Sequence, residues 1–180
     1  ARELHDGLVQ ELVYVRSVAH DIPTNEPARD LVIGGVDRAL DESRAAVHAL
    51  GTTPDETLGY VLHRAAQDQA SRYAVRLEVD VDDSVDVNAS HHHTLTRIVR
   101  EAISNAVRHG GAQRVCIRLA RQERTRELVI EDDGSGFDPA SVASGAGYGV
   151  RSMTERAAAL PGRLDIQSER GRGSVVRVTW

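Results

Sequence analysis

The sequence predicts an α+β chain: a helical hairpin that pairs with a second copy into a four-helix bundle, followed by an α/β sandwich whose mixed sheet is covered by helices. Three observations predict it. Apolar residues recur at steps of three and four through the first fifty positions, which is the helical period. From about Val75 onward, short stretches alternate apolar and polar residues, the period of half-buried strands. Helical stretches fall between those strands, so helices and strands share one core.

The first helix spans Ala1 to about Asp21, with Leu4, Leu8, Leu12, Val15 and Ala19 on one face. "DIPTNEPAR", with two prolines and Asn25, ends it in a turn. A second helix follows from about Ala28 to Leu50, where Ile33, Val36, Leu40, Ser43, Val47 and Leu50 form a heptad seam with one polar member. Two helices cannot hide two such seams from water, so a homodimeric bundle is expected over residues 1–52. "GTTPDE" is a linker, and the second domain is expected over 53–180. It opens with the helix "DETLGYVLHRAAQDQASRY". Val75, Leu77, Val79 and Val81 then alternate as a strand, as do Val115, Ile117 and Leu119, and "ELVIED" is a short buried strand. A helix from Leu95 to His109 lies between the first two strands. Another runs from Val150 to Leu160, and the strands "GRLDIQSE" and "GSVVRVTW", joined by "RGRG", close the chain with Trp180 in the core.

The formal charge of −5 argues against a direct nucleic-acid role. Cys116 is the only cysteine, which excludes an internal disulfide and suits a reducing compartment. Its place in "RVCIRL" predicts a thiol packed in a strand. No apolar stretch is long enough to cross a bilayer, so a cytoplasmic location is expected for this portion. His5 lies so near the start that sensing or membrane segments are expected upstream. Three consecutive histidines, His91 to His93, enter a helix in different directions and do not converge on one metal ion.

Three stretches carry chemistry. On "RIVREAISNAVRHG", Ile98, Val99, Ala102, Ile103 and Ala106 form the buried side, and Arg97, Glu101, Asn105 and Arg108 share the opposite face. A carboxylate, a carboxamide and a guanidinium on one face can hold hydrated Mg²⁺ and a triphosphate. Taken alone, the pattern more often describes a solvated helix face. In "EDDGSGFD", Asp132 ends a strand, and a buried carboxylate there can accept the exocyclic amine of adenine. Guanine would oppose it with an oxygen, a mismatch that discriminates by about 10⁴ in sites built around a hydrogen bond. "SGAGYGVRSM" opens a helix whose N-terminal N–H groups suit phosphate oxygens, with residues 137–148 as a lid.

In this order the three stretches resemble the N, G1 and G2 boxes of the GHKL (Bergerat) superfamily of histidine kinases, gyrase-type ATPases, mismatch-repair ATPases and ninety-kilodalton heat-shock chaperones. The resemblance covers Glu56 to the C-terminus and implies an ATP site. By it, Asn105 ligates Mg²⁺, Glu101 supports the metal or its water, Arg108 and His109 face phosphate, and Asp132 reads adenine. Gly134, Gly136, Gly147 and Gly149 shape the pocket, with Val150 and Ser174 among its residues. Ser152 departs from the pattern, which has a glycine before Met153.

"ARELHDGLVQ" resembles the phosphoacceptor box of nitrate-sensor-type histidine kinases, whose partners are response regulators with LuxR-like output domains. "ALDESRAAVHAL" matches the second helix of that family. The resemblance implies ATP-dependent autophosphorylation on His5, transfer to an aspartate of a regulator's receiver domain, and, through His5, Asp6 and Gln10, a phosphatase activity toward that regulator. Asp6 is placed to hold a proton on the imidazole as it becomes charged. The rivals are a GHKL serine kinase or ATPase using the same pocket, and a dimerising scaffold without catalysis.

Overall fold

The computed structural model describes residues 56–85, 87–138, 148–158 and 160–180, and in the first fifty residues positions 12–15, 17–19, 23, 32, 35, 36 and 39. The chain divides into two compact units, Ala1–Asp55 and Glu56–Trp180. In the first, every described position except Pro23 is helical. Ala19 and Val36 are buried, whereas Val13, Tyr14, Val15, Val18 and Val32 are exposed. His5, Asp6 and Gln10, with most of the two seams, lie outside the described residues.

The second unit begins with helix α1 (Leu58–Tyr73). Thr57 caps it, its hydroxyl accepting the Tyr60 N–H at 3.3 Å, and Ala74 ends it in the left-handed region at φ 53°. Leu58, Leu62, Ala66 and Ala70 line its buried side. Strand β1 (Arg76–Val81) follows, then helix α2 (Ala89–Arg108). This helix starts six residues earlier than the expected Leu95, because Asn88 accepts the His91 N–H at 3.0 Å and nucleates a first turn through the histidines. Strands β2 (Arg114–Gln122) and β3 (Thr125–Asp132) form a tight hairpin. Helix α3 (Tyr148–Ala157) and the hairpin of β4 (Arg163–Ser168) and β5 (Ser174–Thr179) complete the chain.

The sheet order is β1-β2-β3-β5-β4, with β1 and β2 parallel and the other neighbours antiparallel. Helix α2 makes the crossover that the parallel pair requires. Burial then follows strand parity. Val115, Ile117 and Leu119 on β2, Leu128 and Ile130 on β3, and Val176 and Val178 on β5 are buried in one cluster with Leu62, Leu95, Ile98, Ile103 and Met153 of the helices. The other face is polar and carries the ion pairs Arg118–Asp80 at 3.5 Å and Arg177–Glu127 at 3.0 Å. Cys116 belongs to this second parity. It is half-buried in the strand, on the face opposite its neighbours Val115 and Ile117, which take the core positions. Trp180 joins the core as expected.

Candidate nucleotide site

Two strands end and a third begins in a polar residue at the same level of the helix-covered face. The register pairs Asp132 with Ser174 and Ser174 with Ser168, so a carboxylate and two hydroxyls succeed one another across β3, β5 and β4. Each occupies the position where its strand's apolar alternation would have placed another core residue. The two serine oxygens are 3.1 Å apart, and the Asp132 carboxylate accepts the Gly134 N–H at 2.8 Å and is bonded to Ser174. Burial raises the Asp132 pKa above the usual carboxylate range, against the lowering effect of those hydrogen bonds.

The neighbouring carboxylate has a different task. Asp133 accepts the N–H groups of Gln113 and Arg114, both at 2.8 Å, and these bonds hold its pKa below the ordinary value. It fastens the loop after α2 to the loop after β3. Of the two aspartates in "EDDGSG", only Asp132 belongs to the strand and continues the parity of the core residues Leu128 and Ile130.

The glycine loop is held from both sides. Ser135 donates its N–H to the Gly110 carbonyl at 2.7 Å, and its own carbonyl accepts the Gly171 N–H of the β4–β5 turn at 2.6 Å. Gly136 has φ +60°, and a Cβ there would collide with the Glu169 carbonyl oxygen, so this position requires glycine on both counts. Gly134 lies close to the Gly110 backbone, and Asp132 is thereby tied to the end of α2.

On α2, the buried set Ile98, Val99, Ala102, Ile103 and Ala106 is as expected, and Tyr73 and Ser104 bond across α1 and α2 at 3.2 Å. Glu101 and Asn105 are half-buried, and Arg108 and His109 are exposed. Arg97 is not part of an open polar face. It is only 8 % exposed, and its Nε and Nη2 are themselves buried, so the guanidinium as well as the stem is withdrawn from water.

Gly149, at the start of α3, backs directly onto this helix. A Cβ there would stand 2.5 Å from Glu101 Oε1 and 2.6 Å from Asn105 Nδ2. The beginning of α3 thus lies against the carboxylate and amide of α2. Such an arrangement offers a carboxylate oxygen and an amide oxygen one helical turn apart, the hard donors Mg²⁺ takes, beside the N–H groups of a helix N-terminus that suit phosphate. The residues present therefore fit a magnesium nucleotide. Val150 is half-buried and packs on the core. Gly147 and the Ser152 side chain lie outside the described residues.

Sequence reasoning missed Ser168. Its signal was the same as that of Asp132: in "RLDIQS" the alternation Leu164, Ile166 ends in a polar residue of core parity.

Residues 90–180 match the family described as "Histidine kinase-, DNA gyrase B-, and HSP90-like ATPase". The sensor histidine kinase LnrJ of Bacillus subtilis is 34% identical over all of this chain and 46% of its own length. The nitrate/nitrite sensor protein NarX of Escherichia coli is 26% identical over all of this chain and 32% of its own. The chain thus spans less than half of these curated relatives. Among solved structures, the histidine kinase domain of the Erythrobacter litoralis EL346 blue-light activated histidine kinase superposes with a TM-score of 0.64 at 17% identity, over 98% of this chain and 93% of that one, which establishes a shared fold. With its mixed sheet, one-sided helix layer and matched residues, the chain belongs to the histidine kinase-, DNA gyrase B- and HSP90-like ATPase family.

Proposed function

We propose that the chain is the catalytic core of a two-component sensor histidine kinase, binding ATP with Mg²⁺ in the second unit and phosphorylating His5 in the first. The observation that carries the nucleotide reading is the meeting of Glu101, Asn105 and Gly149 at the start of α3, linked through Gly110 and Gly134 to Asp132. The likeness to LnrJ and NarX, named as sensor kinase and sensor protein, supports the histidine as acceptor.

In this reading Asp132 accepts the exocyclic amine of adenine, while Glu101 and Asn105 hold the metal, with Arg108 and His109 toward the phosphates. Mg²⁺, when bound, neutralises charge on the phosphate oxygens. His5 attacks the γ-phosphorus with an unprotonated ring nitrogen, the bond to ADP breaking as the new one forms. Asp6 holds the proton on the other ring nitrogen and stabilises the imidazolium. The phosphoryl group then passes to an aspartate of a response-regulator receiver domain, with LuxR-like output expected. Gln10, four residues after Asp6 in sequence, orients water for hydrolysis of the regulator's phosphoaspartate to aspartate and inorganic phosphate. The exposed Val13, Tyr14, Val15, Val18 and Val32 favour burial against a second copy, as in a dimeric four-helix bundle.

The test is transfer. Chain labelled from γ-labelled Mg-ATP should pass its label to a receiver domain, and Asn105→Ala should abolish labelling. A chain that binds Mg-ATP and labels no histidine would refute the kinase reading.

A further inference from the structure

We infer that Ser168 is a positioning residue for adenine recognition, acting through Ser174 and the loop after Asp132. The inference rests on the nucleotide reading above and adds a residue to it. Ser168 Oγ donates to the Gly173 carbonyl at 2.9 Å and accepts the Phe137 N–H at 2.9 Å. Ser174 Oγ stands 3.1 Å away. One half-buried hydroxyl at the end of β4 therefore joins three segments: the glycine loop at Phe137, the β4–β5 turn at Gly173, and the strand residue bonded to Asp132.

Counting protons defines its effect. A serine hydroxyl has one proton and two lone pairs. With its proton on Gly173 and one lone pair on Phe137, Ser168 offers Ser174 only an acceptor. The single Ser174 proton then has two claimants, Ser168 Oγ and the Asp132 carboxylate. Ser168 therefore shares the Ser174 hydroxyl with Asp132 and fixes its orientation at the edge of the carboxylate. The same contact fixes the backbone on either side. Gly173 lies so close to Asp132 that a Cβ there would collide with the Asp132 carbonyl oxygen, and Gly171 bonds Ser135 in the glycine loop. Losing the Ser168 hydroxyl frees Phe137 N–H and Gly173 C=O together and gives the Ser174 proton wholly to Asp132. All three changes act on the base end of the pocket, and none touches Glu101 or Asn105.

The test is calorimetric titration of this chain with Mg-ADP and Mg-IDP. Inosine presents an oxygen where adenine presents its amine. Wild type, Ser168→Ala and Ser168→Thr are compared, each with its melting temperature. The expected result is an ADP Kd raised about tenfold in Ser168→Ala, as for one or two hydrogen bonds, with IDP changed less than threefold, so that discrimination narrows. Ser168→Thr, which keeps the hydroxyl and suits a strand, should restore both within about threefold. Ser168→Ala with a lowered melting temperature and unchanged ADP-to-IDP preference would overturn the inference, as would a threonine variant as defective as alanine. If wild type binds neither nucleotide, the nucleotide reading itself fails; if wild type prefers ADP and Ser168→Ala keeps that preference, only the role of Ser168 fails.

Discussion

Replacing Gly149 by alanine should separate stability from nucleotide binding. The added Cβ would stand 2.5 Å from Glu101 Oε1 and 2.6 Å from Asn105 Nδ2, where ordinary contact begins at 3.4 Å, so the two groups must retreat by about 0.9 and 0.8 Å. They are side-chain ends and can move without disturbing the core. A displacement of about 1 Å at catalytic groups costs on the order of 10²-fold in rate. Helix propensity changes in the opposite direction, since alanine for glycine in a helix gains up to about 1 kcal/mol. Gly149→Ala should therefore melt no lower than wild type, bind Mg-ADP more weakly, and lose about 10²-fold in phosphate incorporation from labelled Mg-ATP. Calorimetry for melting and titration for Kd make the comparison. Wild-type nucleotide affinity and labelling in this variant would refute the placement of Glu101 and Asn105 at the metal and phosphates.

The two adjacent aspartates should respond oppositely. Burial raises the Asp132 pKa in the fold, so its contribution to stability is present below the unfolded value and is lost as pH rises through the folded one. Asp132→Asn should thus melt at or above wild type at pH 7, the difference closing as the solution is acidified, while ADP affinity falls about 10- to 150-fold, the range for hydrogen bonds to a charged group. A lower melting temperature at pH 7 would contradict the desolvation argument. The Asp133 pKa is lowered by the Gln113 and Arg114 N–H groups, so its contribution is present above the unfolded value and is lost as pH falls through the folded one. Asp133→Ala should melt lower than wild type at pH 7 and equal it in strong acid. A constant deficit across the pH range would show that the two hydrogen bonds are not its source.

Where a residue's neighbours in sequence are also its neighbours in packing, the sequence was easy to read. The five apolar positions of α2 and the alternating positions of β2 and β5 are buried as their periods predicted. Asp132 was legible because it ends an apolar alternation and begins a glycine loop. Arg97 was misread because period alone treats a long cation as solvent-facing, whereas here even the guanidinium atoms Nε and Nη2 are buried. The face on which Cys116 lies was not legible, because an alternating strand has two faces and only the sheet's one-sided helix layer decides which is covered. The start of α2 depended on the Asn88 cap, a single side-chain bond outside the apolar pattern. The link from Ser168 to Asp132 requires the register of β3, β5 and β4, which no local pattern contains.

The central claim is that a nucleotide held in the second unit phosphorylates a histidine in the first. Phosphate incorporation from labelled Mg-ATP into wild type and His5→Gln, with the products exposed to mild acid, tests it most directly. The account predicts label in wild type that acid releases, and none in His5→Gln. Label that survives both acid and the substitution would contradict it and place the acceptor on a hydroxyl group.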